Sequence, residues 1–200
     1  MLVKYLGLVD YQATWTAMQT FTAQRIADTP DEIWILQHPP VYTVGLNGKP
    51  EHLPNNTLIP IVKIDRGGQI TFHGPGQIVA YLMIDLKRKG IGVRELVTRM
   101  EQSVMAVLSS YGIKSESRQD APGVYVEGRK IAALGLRIKH GCSYHGLSLN
   151  VDMDLSPFYA INPCGYPGME VTQTRDLGIT DDIDALNTRL VASLVRSLDA

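Results

Sequence analysis

The fold is decided by the stretch VYVEGRKIAALGLRI, residues 124–138, which predicts two strands joined by a tight turn at Glu127-Gly128. A further strand is predicted over residues 144–151, so three strands follow one another with short connections. Other apolar runs predict strands over residues 2–9, 33–37, 41–44, 58–64 and 78–86. We expect the segment 41–44 to continue the strand before it, and the segment 78–86 to be buried on both faces.

Helices are predicted near both ends of the chain and between the strands. Asp10 is a good N-cap for a helix over residues 11–28, and Gly112 is the natural C′ residue of a long helix that starts near residue 93. Leucines at helical spacing predict a last helix over residues 183–198. The predicted fold class is therefore α+β (mixed α/β), a single domain over residues 1–200 with a central mixed, largely antiparallel sheet flanked by helices.

Composition limits the classes of function. The chain has 200 residues, 44% of them hydrophobic and 20% charged, as in an ordinary globular protein. A formal net charge of −1 gives no electrostatic argument for binding nucleic acid. No apolar segment is long enough for a membrane helix or a signal peptide, so we expect a cytoplasmic protein with no membrane partner. The histidines and cysteines show no metal-ligand spacing, and we expect no metal.

One of the two cysteines lies in a constrained loop. In Asn162-Pro163-Cys164-Gly165, the proline restricts the backbone and the glycine permits close approach of a ligand. Cys164 is therefore a candidate nucleophile, although a free cysteine is more often a small buried hydrophobe. The other, Cys142, is expected to be structural.

The segment RGGQITFHGPGQ, residues 66–77, predicts the wall of a binding pocket. Its four glycines bring backbone N–H groups close to any ligand, and its arginine, threonine and histidine donate hydrogen bonds. It matches neither the P-loop nor the dinucleotide-binding pattern. The alternative is that the glycines only form tight turns of a sheet, with His73 as a structural histidine.

Lys130 begins a strand of small and apolar residues. If it lies in an apolar cleft, its ammonium would lower the pKa of a nearby thiol. The alternative is an exposed lysine beside Arg129, just after the hairpin turn.

Taken together, these segments resemble the lipoyl(octanoyl) transferases, a family of lipoate-biosynthesis enzymes. The resemblance also covers HPPVYTVG (38–45), GRKI (128–131), LGLR (134–137), HGLSLN (145–150) and NPCG (162–165). It implies the fold of the catalytic domains of lipoate and biotin protein ligases. It also implies transfer of an octanoyl group from octanoyl-acyl carrier protein to a lysine of lipoyl domains, in 2-oxoacid dehydrogenases and the glycine cleavage H protein, without a cofactor.

The same resemblance implies roles for individual residues. Cys164 is the implied nucleophile and Lys130 its partner, with His73 as an alternative base. The implied substrate contacts are Arg66, Gly67, Gly68, Gln69, Ile70, Thr71, Phe72, His73, Ala133, Leu134, Gly135, Gly146, Leu147 and Ser148. An acyl tunnel is implied too, and we expect Gly76, Gly135 and Gly146 to leave room for it.

Two other functions remain open. An ATP-dependent lipoate or biotin ligase would share the fold but activate a free acid, and a non-catalytic acyl-binding module would hold the chain without reacting. Because acyl carrier protein and lipoyl domains are acidic, we also expect a positive rim, with candidates Arg25, Lys87, Arg88, Lys89, Arg137 and Lys139.

Overall fold

A seven-stranded sheet lies at the centre of the computed structural model, which describes residues 1–54, 57–162 and 168–199. The strands are β1 (Leu2–Leu8), β2 (Glu32–Gln37), β3 (Val41–Val44), β4 (Ile61–Lys63), β5 (Ile70–His73), β6 (Gln77–Met83), β7 (Glu116–Ser117), β8 (Gly123–Val126), β9 (Arg129–Lys139) and β10 (Cys142–Asn150). The helices are α1 (Tyr11–Ala23), α2 (Leu86–Lys89), α3 (Val93–Ser109) and α4 (Ile183–Asp199).

The large sheet has the strand order β1-β2-β6-β10-β9-β8-β7. β1 and β2 are parallel, and the other neighbouring strands are antiparallel. The α+β class with a mixed, largely antiparallel sheet is thus confirmed. The hairpin of β8 and β9 is also confirmed, because Val126 pairs with Arg129 across Glu127 (φ 50°) and Gly128 (φ 82°). Both turn residues have positive φ, as a two-residue type I′ turn requires.

β3 does not continue β2, so that prediction is wrong. After Pro39-Pro40 the chain leaves the large sheet, and β3 forms a second sheet with β4 on one side and β5 on the other. Prolines have no N–H to donate to a ladder, which explains why the strand ends there. The second sheet places β5, which belongs to the glycine-rich segment, opposite the large sheet.

The helices cover the large sheet on both faces. α3 and α4 bury leucine-rich stripes against one face, including Leu96, Leu108, Leu186 and Leu194. α1 packs on the other face through Met18. It ends at Ala23, earlier than predicted, because the chain then forms a local turn in which Ile26 N–H donates to the Thr29 hydroxyl and Thr29 N–H donates to the carbonyl oxygen of Ile26. Among the described helices, none is both long and apolar enough to cross a membrane.

Candidate active site

A pocket lies between the two sheets, with β9, β10 and β6 on one side and β5 with the preceding loop on the other. It is lined by most of the residues that sequence analysis assigned to substrate contact, namely Arg66, Gly68, Gln69, Ile70, Thr71, His73, Ala133, Leu134, Gly135, Gly146, Leu147 and Ser148. Gly67 and Phe72 do not line it, and Phe72 packs instead against Tyr42 and Phe158. Three segments that are far apart in sequence, residues 66–73, 133–135 and 146–148, therefore meet at one cavity.

Lys130 also lines this pocket and is only 4% exposed, so the alternative of an exposed lysine is wrong. Its Nζ donates a hydrogen bond to the carbonyl oxygen of Pro122 at 3.0 Å and lies 5.3 Å from the centre of the Tyr125 ring. Its side chain passes over Gly123, where a Cβ would lie 2.4 Å from Cε of the lysine. A buried amino group is therefore held in a fixed position in the pocket.

Glu101 on α3 lies behind this lysine, and sequence analysis did not identify it. Its Oε1 accepts a hydrogen bond from Gly123 N–H at 3.0 Å. Burial raises the pKa of Glu101, while that hydrogen bond and the charge of Lys130 act in the opposite direction. The carboxyl group thus fixes the loop that positions the lysine.

A chain of buried hydrogen bonds connects Lys130 to His73. Nδ1 of His73 donates to Oε1 of Gln77 at 2.7 Å, and Nε2 of Gln77 donates to Oδ1 of Asn150 at 2.9 Å. Asn150 Nδ2 donates to the carbonyl oxygen of Thr172 at 3.0 Å, and Thr172 N–H donates to that of Lys130 at 2.9 Å. Buried networks of this kind, with their members paired, make a site rigid.

His73 is an inner member of an aromatic cluster. Its ring stacks on that of Tyr11 with centroids 6.0 Å apart, and the His38 ring lies 5.9 Å away. Burial, helped by the neighbouring His38, lowers the pKa of His73 to about 3, and burial lowers that of His38 to about 4. Both histidines are therefore neutral, weakly basic groups near neutral pH.

Asp65 and His145 form a second polar cluster, which sequence analysis also missed. The Asp65 carboxylate accepts hydrogen bonds from His145 Nε2 at 3.0 Å, from Trp15 Nε1 at 2.9 Å, from Gln19 Nε2 at 3.2 Å and from the Tyr144 hydroxyl. Burial acts to raise the pKa of Asp65, but these four bonds outweigh it and hold the pKa well below its usual range. Burial lowers the pKa of His145 despite the carboxylate.

The backbone of His145 explains how two consecutive residues reach one carboxylate. Successive side chains of a strand point to opposite faces. His145 has a φ of 61°, and this left-handed conformation brings both its ring and that of Tyr144 to Asp65, with the two ring centroids 5.0 Å apart. No signal in the local sequence pattern predicted this reversal.

Arg66 closes the pocket at the end remote from Lys130. Its guanidinium donates to the carbonyl oxygen of Thr43 at 2.7 Å and to that of Gly67 at 2.9 Å. Gly67 N–H in turn donates to the carbonyl oxygen of Leu136 at 3.0 Å, and a Cβ at Gly135 would lie 3.0 Å from Cδ of Arg66. Arg66 is thus part of the end wall of the cavity.

Two of the three glycines expected to leave room for an acyl chain do not do so. A Cβ at Gly146 would lie 2.1 Å from the carbonyl oxygen of Ala80, and one at Gly76 would lie 1.9 Å from that of Asp152. These glycines allow neighbouring backbone to approach, so that prediction is wrong for them. Gly135 lines the pocket next to the end wall.

Three of the six residues predicted to form a positive rim are engaged in ion pairs. The side chain of Arg25 is buried and binds Asp31 at 2.5 Å, and Lys89 binds Asp199 at 2.8 Å. Arg88 also binds Asp31, at 2.6 Å. The remaining candidates, Lys87, Arg137 and Lys139, are exposed.

The predicted nucleophile, Cys164, lies outside the described residues, as do Pro163 and Gly165. Cys142, at the start of β10, is 7% exposed, and burial raises the pKa of its thiol. Among residues 1–54, 57–162 and 168–199, no three His, Cys, Asp or Glu side chains are grouped so that they could hold a metal ion.

The chain is similar in sequence to known proteins over almost its whole length. Residues 10–195 match the model of the lipoyl protein ligase A/B catalytic domain. The octanoyltransferase of Dechloromonas aromatica is 63% identical over 198 residues, which cover 99% of this chain and 97% of that protein. The octanoyltransferase of Thiobacillus denitrificans is 60% identical over 198 residues, covering 99% and 91%.

The fold is also that of a solved ligase. The structure of a bipartite lipoate protein ligase and its E2 lipoyl domain from Thermoplasma acidophilum superposes with a TM-score of 0.77 at 14% identity, covering 99% of this chain and 83% of that one. At that identity, the likeness concerns the fold alone.

Proposed function

Since this chain belongs to the lipoyl protein ligase A/B catalytic domain family and is an acyltransferase that transfers octanoyl groups in protein lipoylation, we propose that it carries the octanoyl group as a thioester on Cys164. The proposed donor is octanoyl-acyl carrier protein, and the proposed acceptor is a lysine of a lipoyl domain. The observation that carries the proposal is the buried amino group of Lys130, which lies in a largely apolar pocket. The cytoplasm stays the predicted location.

In the first half of the proposed reaction, the Cys164 thiolate attacks the thioester carbonyl of the donor. A new carbon–sulfur bond forms, the old one breaks, and the carrier leaves as a thiol after taking a proton from Lys130. Lys130 stabilises the attacking thiolate, because a nearby positive charge favours the deprotonated thiol. The donor is already activated as a thioester, so this step requires no ATP.

In the second half, the neutral ε-amine of the acceptor lysine attacks the thioester on Cys164. The amide bond forms, the cysteine leaves as a thiolate, and the amine loses a proton. We assign that proton to Lys130, which is neutral at this stage. His73 is the weaker candidate, because a pKa of about 3 makes it a poor proton acceptor near neutral pH.

Among the substrate contacts, the described residues support a division of the pocket. Lys130 stands at the reacting end, and Ala133, Leu134 and Gly135 lead along β9 toward the end wall. We propose that the acyl chain lies along this strand. Its carbonyl would then be next to Lys130 and its methyl end next to Arg66.

An ATP-dependent ligase is the second candidate, because the solved structure of the same fold is a lipoate protein ligase. Transfer from octanoyl-acyl carrier protein to a lipoyl domain with ATP omitted separates the two. Octanoylation of the acceptor without ATP is the expected result. Strict dependence on ATP and a free acid would show that the chain is a ligase instead.

The acyl-enzyme is tested by the mass of the intact protein after incubation with the donor alone. The wild type should gain the mass of one octanoyl group, and the Cys164→Ala variant should gain none. Cys142→Ala is the matched control, because it removes the other, buried thiol and should still become acylated. A Cys164→Ala protein that gains the octanoyl mass would overturn the proposal, and a wild type that binds the donor without gaining mass would be an acyl-binding module.

A further inference from the structure

We infer that Nε2 of His73 accepts a hydrogen bond from the attacking amine in the second half of the reaction, so that His73 orients the acceptor lysine without taking its proton. The inference rests on the proposed function, because it takes a lysine of a lipoyl domain to attack a thioester beside Lys130. It adds a residue that contacts the acceptor substrate, and it gives that residue a role other than that of a base.

The hydrogen bonds behind His73 determine which of its ring nitrogens carries the proton. Asn150 Nδ2 donates to the carbonyl oxygen of Thr172 at 3.0 Å, and Gln77 Nε2 donates to that of Phe72 at 3.3 Å. Carbonyl oxygens only accept, so the amide nitrogens lie on those sides and Oε1 of Gln77 faces His73. Nδ1 of His73, 2.7 Å from that oxygen, is therefore the donor. Burial lowers the pKa of His73 to about 3, so the ring is neutral and Nε2 keeps its lone pair.

Nε2 of His73 also has accessible surface. Among the described residues, the buried side-chain nitrogens and oxygens that make no hydrogen bond lie in Thr22, Arg25, His145, Thr172 and Asn187. Nε2 of His73 makes no hydrogen bond to a described residue either, yet it is not one of these atoms, so it is not fully buried. His73 lines the pocket and is 7% exposed. The exposed part of the ring therefore includes an acceptor that a molecule in the pocket can reach.

The register of the large sheet places this acceptor near Lys130. In the antiparallel pairing of β9 with β10, Asn150 lies one position beyond the last pair and is thus level with residue 131, next to Lys130. On its other side Asn150 pairs with Gln77 of β6, to which His73 is bound. Residue 131 and Gln77 are therefore two strand spacings apart, about 10 Å. Lys130 and His73 both line the pocket above this row of residues.

A lysine and a neutral histidine in these places match the two protons of a primary amine. The neutral ε-amine attacks with its lone pair, the carbon–nitrogen bond forms as the carbon–sulfur bond breaks, and one proton passes to Lys130. The other proton stays on nitrogen and becomes the N–H of the product amide, and Nε2 accepts a hydrogen bond from it throughout. With a pKa of about 3, His73 can hold this N–H but is too weak a base to activate water against the thioester.

The test measures the two half-reactions separately. Acylation is followed as the octanoyl mass gained from octanoyl-acyl carrier protein alone, and transfer as the loss of that mass when a lipoyl domain is added to the isolated acyl-enzyme. We expect His73→Asn to slow transfer about tenfold, the value of one hydrogen bond, because its shorter amide keeps a donor for Gln77 but leaves no acceptor in the place of Nε2. Acylation should change less than about twofold, which also shows that the variant folds.

The variant His73→Gln distinguishes an acceptor from a base. Glutamine does not titrate, but its side-chain oxygen can accept the N–H of the amine, so transfer should return to within about threefold of the wild-type rate. His140→Asn, the same substitution at an exposed turn, is the control and should leave both rates unchanged.

Three results would overturn the inference: unchanged transfer in His73→Asn, equal slowing of acylation and transfer in that variant, or transfer in His73→Gln as slow as in His73→Asn. The last result would make His73 a base. If the wild type gains no octanoyl mass from the donor, it is the proposed function that fails.

Discussion

The side chain of Lys130 lies directly over Gly123, and a Cβ at that glycine would be 2.4 Å from Cε and 3.0 Å from Nζ of the lysine. The same Cβ would lie 2.7 Å from the carbonyl oxygen of Ala132, which is backbone and cannot move aside. Space for the lysine therefore exists because residue 123 has no side chain.

The variant Gly123→Ala should displace Lys130 and lower octanoyl transfer by about 100-fold or more, since misplacing a reacting group by about 1 Å can cost that much. The rate is measured with octanoyl-acyl carrier protein and a lipoyl domain. Gly141→Ala is the control, because Gly141 also has a positive φ of 81°, but a Cβ there would meet no other atom within 4 Å. Equal losses in both variants would contradict the prediction.

The variant Gly135→Ala should shorten the pocket. Its Cβ would lie 3.0 Å from Cδ of Arg66, at the end wall. We expect kcat/KM for octanoyl to fall about tenfold more than that for hexanoyl, because the longer chain is the one that reaches the wall. Gly67→Ala serves as control, since Gly67 does not line the pocket and its Cβ would make one ordinary contact, 3.7 Å from the carbonyl oxygen of Leu136. An unchanged hexanoyl-to-octanoyl ratio in Gly135→Ala would show that the chain ends elsewhere.

Arg137 and Lys139 are the exposed rim candidates on β9. Reversing both charges in Arg137→Glu/Lys139→Glu should raise KM for the acidic acyl carrier protein several-fold, with kcat little changed. The dependence of KM on ionic strength should become weaker, because the screened attraction has been removed. Lys114→Glu, another exposed site, should leave KM as it is. If Lys114→Glu has the larger effect on KM, acyl carrier protein does not bind at Arg137 and Lys139.

Acid should destabilise the folded protein through its buried histidines. Burial lowers the pKa of His73 from 6.5 to about 3 and that of His38 to about 4. Between pH 6.5 and these values the unfolded chain binds protons that the folded chain does not, so the free energy of unfolding falls as pH falls. The loss is about 2 kcal/mol per histidine at pH 5 and disappears above pH 7.

Urea unfolding at pH 7, 6 and 5 measures this loss. His73→Gln should remove the part that His73 contributes, about 2 kcal/mol at pH 5, because glutamine does not titrate and can still donate to Gln77. His140→Gln, at an exposed turn, should leave it unchanged. A pH dependence that is the same in all three proteins would show that His73 is not the source.

Sequence patterns predicted those elements whose structure depends on local residues. The β8–β9 hairpin follows from the Glu127-Gly128 turn, and α3 from its apolar stripe, so both were predicted nearly to the residue. The assignment of β3 failed because pairing with β4 and β5, remote in sequence, decides which sheet it joins. Pairing between distant strands leaves no signal in the period of one strand.

The candidate site likewise depends on contacts between residues that are distant in sequence. Lys130 could be singled out, but whether it is buried depends on Gly123 and Tyr125, which the register shift of β8 places against it. Glu101 and Asp65 act through partners far away in sequence, and neither lies in a segment that suggests chemistry. Residues that hold a reacting group in place become visible only in three dimensions.

The pocket lies along a seam between two sheets, and within residues 1–54, 57–162 and 168–199 the strands β3, β4 and β5 share no ladder with the large sheet. Each wall therefore keeps its own register when the other changes. Substitutions in β5 at residues other than His73, which the hydrogen-bond chain joins to Lys130, can reshape one wall while β9 and β10 keep Lys130 where it is. Such a construction lets the choice of acyl chain vary among related proteins without disturbing the reacting end.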